Sequence, residues 1–310
     1  MKILVLGCDG QVGFELTRAL TPLGDVTALG REPSPSGLCG DLERPDELRH
    51  TLRYLAPDVI ANAAAYTDVE GAETETERER AYRVNAEAPA LLAAETARSN
   101  GWLVHYSTDY IFDGSGTAPW GESDAPAPLN VYGTTKWRGE RAVRDAGGRH
   151  LILRTQWVYA ARRKNFLSKI LQAAATRDRL QVVADQTGAP TSAALVADMT
   201  AHALRLAIAR PELSGTYHLA ARGETTWHDY ARFALDAARQ AGLPVRPADA
   251  AIEPVATGVF PTVARRPLNS RLDVSRFEQG FDVQLPDWRV GVARAVAEIS
   301  KDARPGAIKR

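Results

Sequence analysis

Ile3-Leu4-Val5-Leu6-Gly7-Cys8-Asp9-Gly10-Gln11-Val12-Gly13-Phe14-Glu15-Leu16 opens the chain with an apolar run, a glycine-rich turn and the start of an amphipathic helix. The helix is marked by Val12, Leu16, Ala19 and Leu20, which recur at helical spacing on one face. Gly7, Gly10 and Gly13 fall at the junction, where glycines permit a tight turn and a close approach of a pyrophosphate to the helix N-terminus. Strand, turn and helix coincide, so Gly7, Gly10, Gln11, Val12 and Gly13 are candidates for holding a dinucleotide cofactor.

Outward from this stretch the same alternation repeats. Apolar runs at Val59 to Ala65, Leu103 to Tyr106 and Leu151 to Leu153 are interleaved with helical patterns such as Leu48, Leu52 and Leu55. Successive βα units predict an α/β fold, a Rossmann-type doubly wound parallel sheet. Beyond Arg154 the pattern predicts a helix near Phe166 to Thr176, a strand at Leu180 to Val183, a helix near Ala193 to Ala209 and a strand at Thr216 to Leu219. A helix from Thr226 or Trp227 to Gln240, an irregular stretch from Ile252 to Asn269 and a last helix near Trp288 to Ser300 then read as a smaller C-terminal substrate-binding lobe. The expected division is residues 1–156 and about 192–220 for the dinucleotide-binding domain, and about 157–191 and 221–310 for the lobe.

The chain has 310 residues, enough for a large core and a cleft between two lobes. Its 38 basic residues balance 38 acidic ones, which removes the electrostatic reason to expect nucleic acid or an anionic membrane as partner. Neither a charged leader followed by a secretory apolar segment nor a membrane-length apolar stretch is apparent. Two cysteines, Cys8 and Cys39, make no disulfide framework, so a reducing, cytoplasmic setting is expected.

The second strand, Val26 to Leu29, ends in Gly30-Arg31 rather than in the acidic residue that commonly holds a ribose 2′-hydroxyl. Arg31 can receive a 2′-phosphate, which favours NADPH with NADH possible, or it can be a solvated surface arginine. Asp41, Leu42, Ala63, Ala64, Ala65, Tyr66 and Thr67 sit near strand ends, where loops reach a bound nucleotide, and are further cofactor candidates.

Tyr132 and Lys136 lie four residues apart, hence on one face of a helix, so the lysine charge is expected to lower the phenol pKa and make Tyr132 a usable acid. Thr108 follows the Leu103 to Tyr106 strand and should point its hydroxyl into the same cleft. A Tyr-x-x-x-Lys pair alone is weak; joined to the glycine pattern and Ser107-Thr108 it defines a constellation.

In these three features the chain resembles the extended short-chain dehydrogenase/reductases, and Asn85 matches that superfamily's structural asparagine, counted here with the cofactor site. More narrowly, the strings Val104 to Phe112, Pro128 to Gly133, Arg154 to Tyr159, Asp185 to Thr191, Thr225 to Tyr230 and Arg265 to Leu272 resemble the dTDP-4-dehydrorhamnose reductase family. The resemblance implies reduction of a dTDP-sugar ketone, with Tyr132 as proton donor, Lys136 supporting it and holding the nicotinamide ribose, and Thr108 orienting the carbonyl. It also implies that Asp109 and Trp157 touch the sugar nucleotide. Arg266 and Arg271 are candidates for its pyrophosphate, because a guanidinium matches phosphate oxygens; Arg162-Arg163-Lys164 is the alternative, or a solvated charge run. His228 reads as a residue that caps or lines a helix.

Nucleotide-sugar epimerases keep the same Tyr-Lys pair, and 4,6-dehydratases resemble Thr-Asp-Glu where this chain has Thr108-Asp109-Tyr110, without the second acid. A non-catalytic dinucleotide-binding regulator, of the kind found with methionine adenosyltransferase, stays open. No cluster has transition-metal ligand spacing. Mg is possible in this family but has no ligands to place it, and monomer and homodimer are equally open.

Overall fold

The computed structural model describes residues 1–32, 34 and 36–302. Residues 303–310 of the expected lobe lie outside the described residues. Strands β1 (Lys2–Leu6), β2 (Asp25–Leu29), β3 (Val59–Asn62), β4 (Trp102–Thr108) and β5 (Arg149–Thr155) are followed by the short β6 (Val158–Tyr159), β7 (Leu180–Val183), β8 (Thr187–Gly188) and β9 (Thr191–Ser192). Then come β10 (Gly215–His218), β11 (Thr225–Thr226) and β12 (Ile252–Val255). The α-helices are α1 (Gln11–Ala19), α2 (Pro45–Leu55), α3 (Glu75–Tyr82), α4 (Ala88–Arg98), α5 (Val131–Asp145), α6 (Phe166–Ala174), α7 (Ala193–Ala209), α8 (Trp227–Gln240), α9 (Ser275–Phe281) and α10 (Trp288–Asp302).

Six strands form one parallel sheet in the order β10-β5-β4-β3-β1-β2. Its two faces are both apolar because the inner strands are near-continuous apolar runs whose successive side chains point to opposite sides. Ile3 and Val5 join Val104, Leu151 and Leu153 in a core covered by Leu16 of α1 and by Val196 and Leu204 of α7. Leu4 and Leu6 join Ile60, Leu103 and Ile152 under Leu48 and Leu52 of α2 and Leu92 of α4. The strand order reverses between β1 and β3, and at such a switch point the connections leave on opposite faces and open a crevice beyond the strands' carboxyl ends.

Tyr159, Leu167, Tyr230, Trp288 and Val292 build a separate core from α6, α8 and α10. Three two-stranded pairs, β11-β8, β12-β7 and β6-β9, brace it. The sequence expectation is corrected in two places. The third strand stops at Asn62, and Ala63 to Ala65 leave the sheet as loop. Ile252–Val255, expected to be irregular, pairs in parallel with Leu180–Val183, whose exposed edge supplies the hydrogen-bonding partner that a local pattern cannot reveal.

Candidate active site

Gly7 has φ +80, and a Cβ built on it would stand 2.6 Å from the Ala64 nitrogen; only a glycine lets the first turn pass this close to the loop after β3. A Cβ on Gly13 would overlap the Gly7 carbonyl oxygen, so this glycine serves helix-to-turn packing. Helix α1 starts after Gly10 with no side-chain cap, which leaves its first-turn N–H groups available to an anion. Gly10, Gln11 and Val12 line a cavity of about 910 Å³ that runs along the carboxyl ends of the strands. A glycine cradle that a Cβ would fill, an uncapped helix N-terminus and this volume fit a dinucleotide.

The catalytic candidates converge on the same cavity. Thr108 ends β4, accepts from the Tyr110 backbone N–H at 3.2 Å and donates to Asp109 Oδ1 at 3.0 Å. Helix α5 begins at Val131 because Asn130 Oδ1 accepts from Gly133 N at 2.8 Å and Glu73 Oε1 accepts from Val131 N at 2.7 Å. A Cβ on Gly133 would overlap the Tyr110 carbonyl oxygen, so glycine there lets the first turn of α5 lie against the segment after β4. This carries Tyr132 to the Thr108 hydroxyl. The Tyr110 ring meets Tyr132 edge-on, with centroids 5.7 Å apart.

Lys136 is buried, and its Nζ donates to the Tyr106 carbonyl oxygen at 2.6 Å. Burial pushes its pKa down to about 8, opposed by the Glu140 carboxylate on the next turn. The expectation that Lys136 lowers the Tyr132 pKa is corrected. Burial and then the charge of Asp109 push the phenol above its ordinary value, with the Thr108 hydroxyl pulling the other way. The ammonium is committed to the Tyr106 carbonyl, so the phenol stays protonated at neutral pH. Asp109 is itself pushed up to about 6 by burial, against Ser270 and Thr108, and its Oδ2 has no hydrogen-bond partner.

Arg266 reaches the cavity from the long segment before α9. Its Nη2 donates to Glu70 Oε1 at 2.8 Å, while Glu70 Oε2 accepts from Val263 N and Ala264 N at 3.0 and 3.2 Å. Asn130 Nδ2 donates to the Arg265 carbonyl at 2.8 Å, so the cap of the tyrosine helix also holds this arginine segment. Trp157, with φ +45, stacks on Trp227 at 3.7 Å between centroids, and Trp227 Nε1 donates to Gln186 Oε1 at 3.0 Å.

The structure brings most candidates onto one wall: Gly7, Gly10, Gln11, Val12, Arg31, Asp41, Leu42, Ala63, Ala64, Ala65, Thr67, Thr108, Asp109, Tyr132, Lys136, Trp157 and Arg266. Gly13, Tyr66 and Asn85 lie behind it. Asn85 accepts from Tyr66 N at 2.9 Å and donates to Tyr66 O at 3.0 Å and Thr135 Oγ1 at 3.1 Å, bracing the loop against α5. Arg271 does not line this cavity: its Nε is bonded to Glu224 at 2.5 Å and its Nη1 to Asn269 at 3.2 Å.

Of the basic run, Arg163 and Lys164 line the cavity, whereas Arg162 lies over the Phe14 ring. Asn165 Nδ2 next to them donates to Gln11 Oε1 at 2.9 Å and ties α6 to the glycine-rich turn. His228 at the start of α8 bonds the Ile252 carbonyl at 3.0 Å through Nε2. Asp9, Tyr110 and Trp227 also line the cavity and were missed in the sequence. The signal for Asp9 was its place inside the glycine pattern. Among the described residues no group of three or more His, Cys, Asp or Glu side chains is placed to hold a metal ion.

Residues 1–301 match the protein family described as the RmlD substrate binding domain. The chain is similar to the dTDP-4-dehydrorhamnose reductase of Escherichia coli K12, 48% identical over 299 residues, covering 96% of this chain and 98% of that protein. The enzyme of the same name from Burkholderia thailandensis is 44% identical, covering 96% of this chain and 99% of its own length. Among solved structures, a dTDP-4-dehydrorhamnose reductase from Bacillus anthracis in complex with NADP superposes with a TM-score of 0.83 at 30% identity, covering 96% of this chain and 99% of that one.

Proposed function

The chain belongs to the RmlD substrate-binding family, and from that premise we propose that it reduces the 4-keto group of dTDP-4-dehydro-L-rhamnose to give dTDP-L-rhamnose, the last step in making that nucleotide sugar. The observation that carries the reading is Tyr132 on the cavity wall beside Thr108, with Lys136 one turn further along α5.

A bound nicotinamide cofactor supplies the hydride. Gly7, Gly10, Gln11 and Val12 would hold its pyrophosphate against the start of α1, with Ala63, Ala64, Ala65 and Thr67 on the loop packed beside that turn. Asp41 and Leu42 would face its adenosine end, and Arg31 a 2′-phosphate. Lys136 would hold the nicotinamide ribose. Gly13, Tyr66 and Asn85 would support this surface from behind.

At the sugar, Thr108 hydrogen-bonds and orients the carbonyl, and Tyr132 gives its phenolic proton to the C4 oxygen as that oxygen gains negative charge. A phenol held above its usual pKa is a poor base-forming group in water, yet an alkoxide is more basic still, so the transfer runs towards the alcohol. Asp109 and Trp157 would contact the sugar, and Arg266 the substrate pyrophosphate, where a guanidinium gives paired hydrogen bonds.

The proposed division is residues 1–156 and about 192–220 for the cofactor domain and about 157–191 and 221–310 for the substrate lobe; that the parallel sheet and α7 fall within the first supports it. Both thiols are free, which supports a reducing, cytoplasmic setting. No described helix is long and apolar enough to cross a membrane.

Incubation with dTDP-4-dehydro-L-rhamnose and NADPH should consume the cofactor and yield dTDP-L-rhamnose by chromatography. Binding of NADPH without turnover would instead favour a non-catalytic regulator.

A further inference from the structure

Asp9 reaches to the end of β2 and occupies the place that a side chain at position 30 would take. In dinucleotide-binding α/β folds an acidic side chain about 20 residues beyond the glycine pattern, at the end of the second strand, accepts the ribose 2′-hydroxyl. Here β2 ends at Leu29, and the next residue, Gly30, has no side chain to offer. A Cβ built on Gly30 would overlap Asp9 Oδ2, with Asp9 Cγ at 2.7 Å and Oδ1 at 3.2 Å.

The carboxylate thus stands where an acid from β2 would begin, delivered from the glycine-rich turn. The turn is pinned there: Gly7 N and Cys8 N both donate to the Leu29 carbonyl, at 2.9 and 3.2 Å. Asp9, Gly30, Arg31 and Glu32 share the cavity wall. Among the described residues neither Asp9 nor Arg31 forms an ion pair, so both charges face this end of the cavity.

Resting on the reading of this cavity as an NAD(P)H site, we infer that Asp9 is the specificity-determining residue for the adenosine ribose of the cofactor. It accepts the 2′-hydroxyl of NADH and repels the 2′-phosphate of NADPH. Arg31, the next residue after Gly30, acts in the opposite sense. The preference between the two cofactors is the balance of these two side chains.

Dissociation constants for NADH and NADPH, measured by quenching of intrinsic tryptophan fluorescence, test this without depending on turnover. Asp9→Asn should shift the NADH to NADPH affinity ratio towards NADPH by about tenfold or more, the effect of losing a charged hydrogen-bond acceptor. Arg31→Gln should shift it the other way. Asp9→Ala combined with Gly30→Asp should restore NADH binding relative to Asp9→Ala alone; Gly30 is not a positive-φ glycine, so a side chain there meets no backbone strain. An unchanged ratio in Asp9→Asn, with both cofactors still bound, overturns the assignment. Failure of the unsubstituted protein to bind either cofactor overturns the reading of the cavity and the assignment with it.

Discussion

Lys136 Nζ donates to the Tyr106 carbonyl oxygen at 2.6 Å, carrying its charge to the end of β4 rather than to the Tyr132 phenol one turn earlier on α5. Burial puts its pKa at about 8, below the usual lysine value of 10.5. The charge is therefore lost as pH rises through about 8, and kcat/KM for reduction should fall on that limb, since it reports ionisations of the free enzyme. Stability moves the other way. Between about 8 and 10.5 the unfolded chain binds more protons than the folded one, so this group adds stability as pH rises. Lys136→Met should melt above the unsubstituted protein at neutral pH, with the gap closing towards pH 10. A gap that stays constant would contradict the buried charge.

Asp109 titrates with the opposite consequence. Its value, pushed up to about 6 by burial, exceeds the ordinary 3.8, so the folded state holds the proton more tightly and loses stability as pH rises between these values. Asp109→Asn should therefore raise Tm well above pH 6 and leave it unchanged near pH 4. Equal effects at both pH values would show that the substitution acts through packing alone.

Arg266 and Arg271 separate cleanly by position. Arg266 lines the cavity beside Glu70, whereas Arg271 is bonded to Glu224 away from it. Arg266→Met should raise KM for the dTDP-sugar by about tenfold to a hundredfold, as loss of a charge-assisted hydrogen bond implies. Arg271→Met should leave it within about twofold, since its side chain does not line the cavity. Steady-state kinetics at saturating NADPH would reveal a reversed order if the assignment were wrong.

Behind the lysine, Arg154 grips Glu140 through two hydrogen bonds, Nε to Oε1 at 2.9 Å and Nη2 to Oε2 at 2.8 Å, both residues being buried. Glu140 also receives Arg144 at 3.2 Å. Arg154→Met leaves a buried carboxylate with Arg144, which is partly exposed, as its remaining ion-pair partner and the Lys136 charge nearby, and urea unfolding should show a loss of about 3 to 5 kcal/mol. A loss under about 1 kcal/mol would mean that Arg144 and Lys136 compensate the charge without Arg154.

Much of this arrangement was legible in the sequence where one local pattern carries both the strand and the turn. Ile3 to Leu6 with Gly7, Gly10 and Gly13 gave the first βα unit, and Tyr132 with Lys136 shared a helix face as their spacing required. What stayed hidden depends on partners distant in the chain. The two-residue strands β6, β8, β9 and β11 have no periodicity to read, and β12 is a strand only because β7 offers its edge. Asp9 looked like a turn residue because its relation to Gly30 exists only once β1 and β2 lie side by side. The direction of the Lys136 ammonium depends on the Tyr106 carbonyl, 30 residues earlier.

The most direct test is single-turnover reduction of dTDP-4-dehydro-L-rhamnose by enzyme with bound NADPH, comparing Tyr132 with Tyr132→Phe. Removing a positioned general acid should slow the step by about a hundredfold or more, with NADPH affinity unchanged. A Phe variant that turns over at the original rate would contradict Tyr132 as the proton donor.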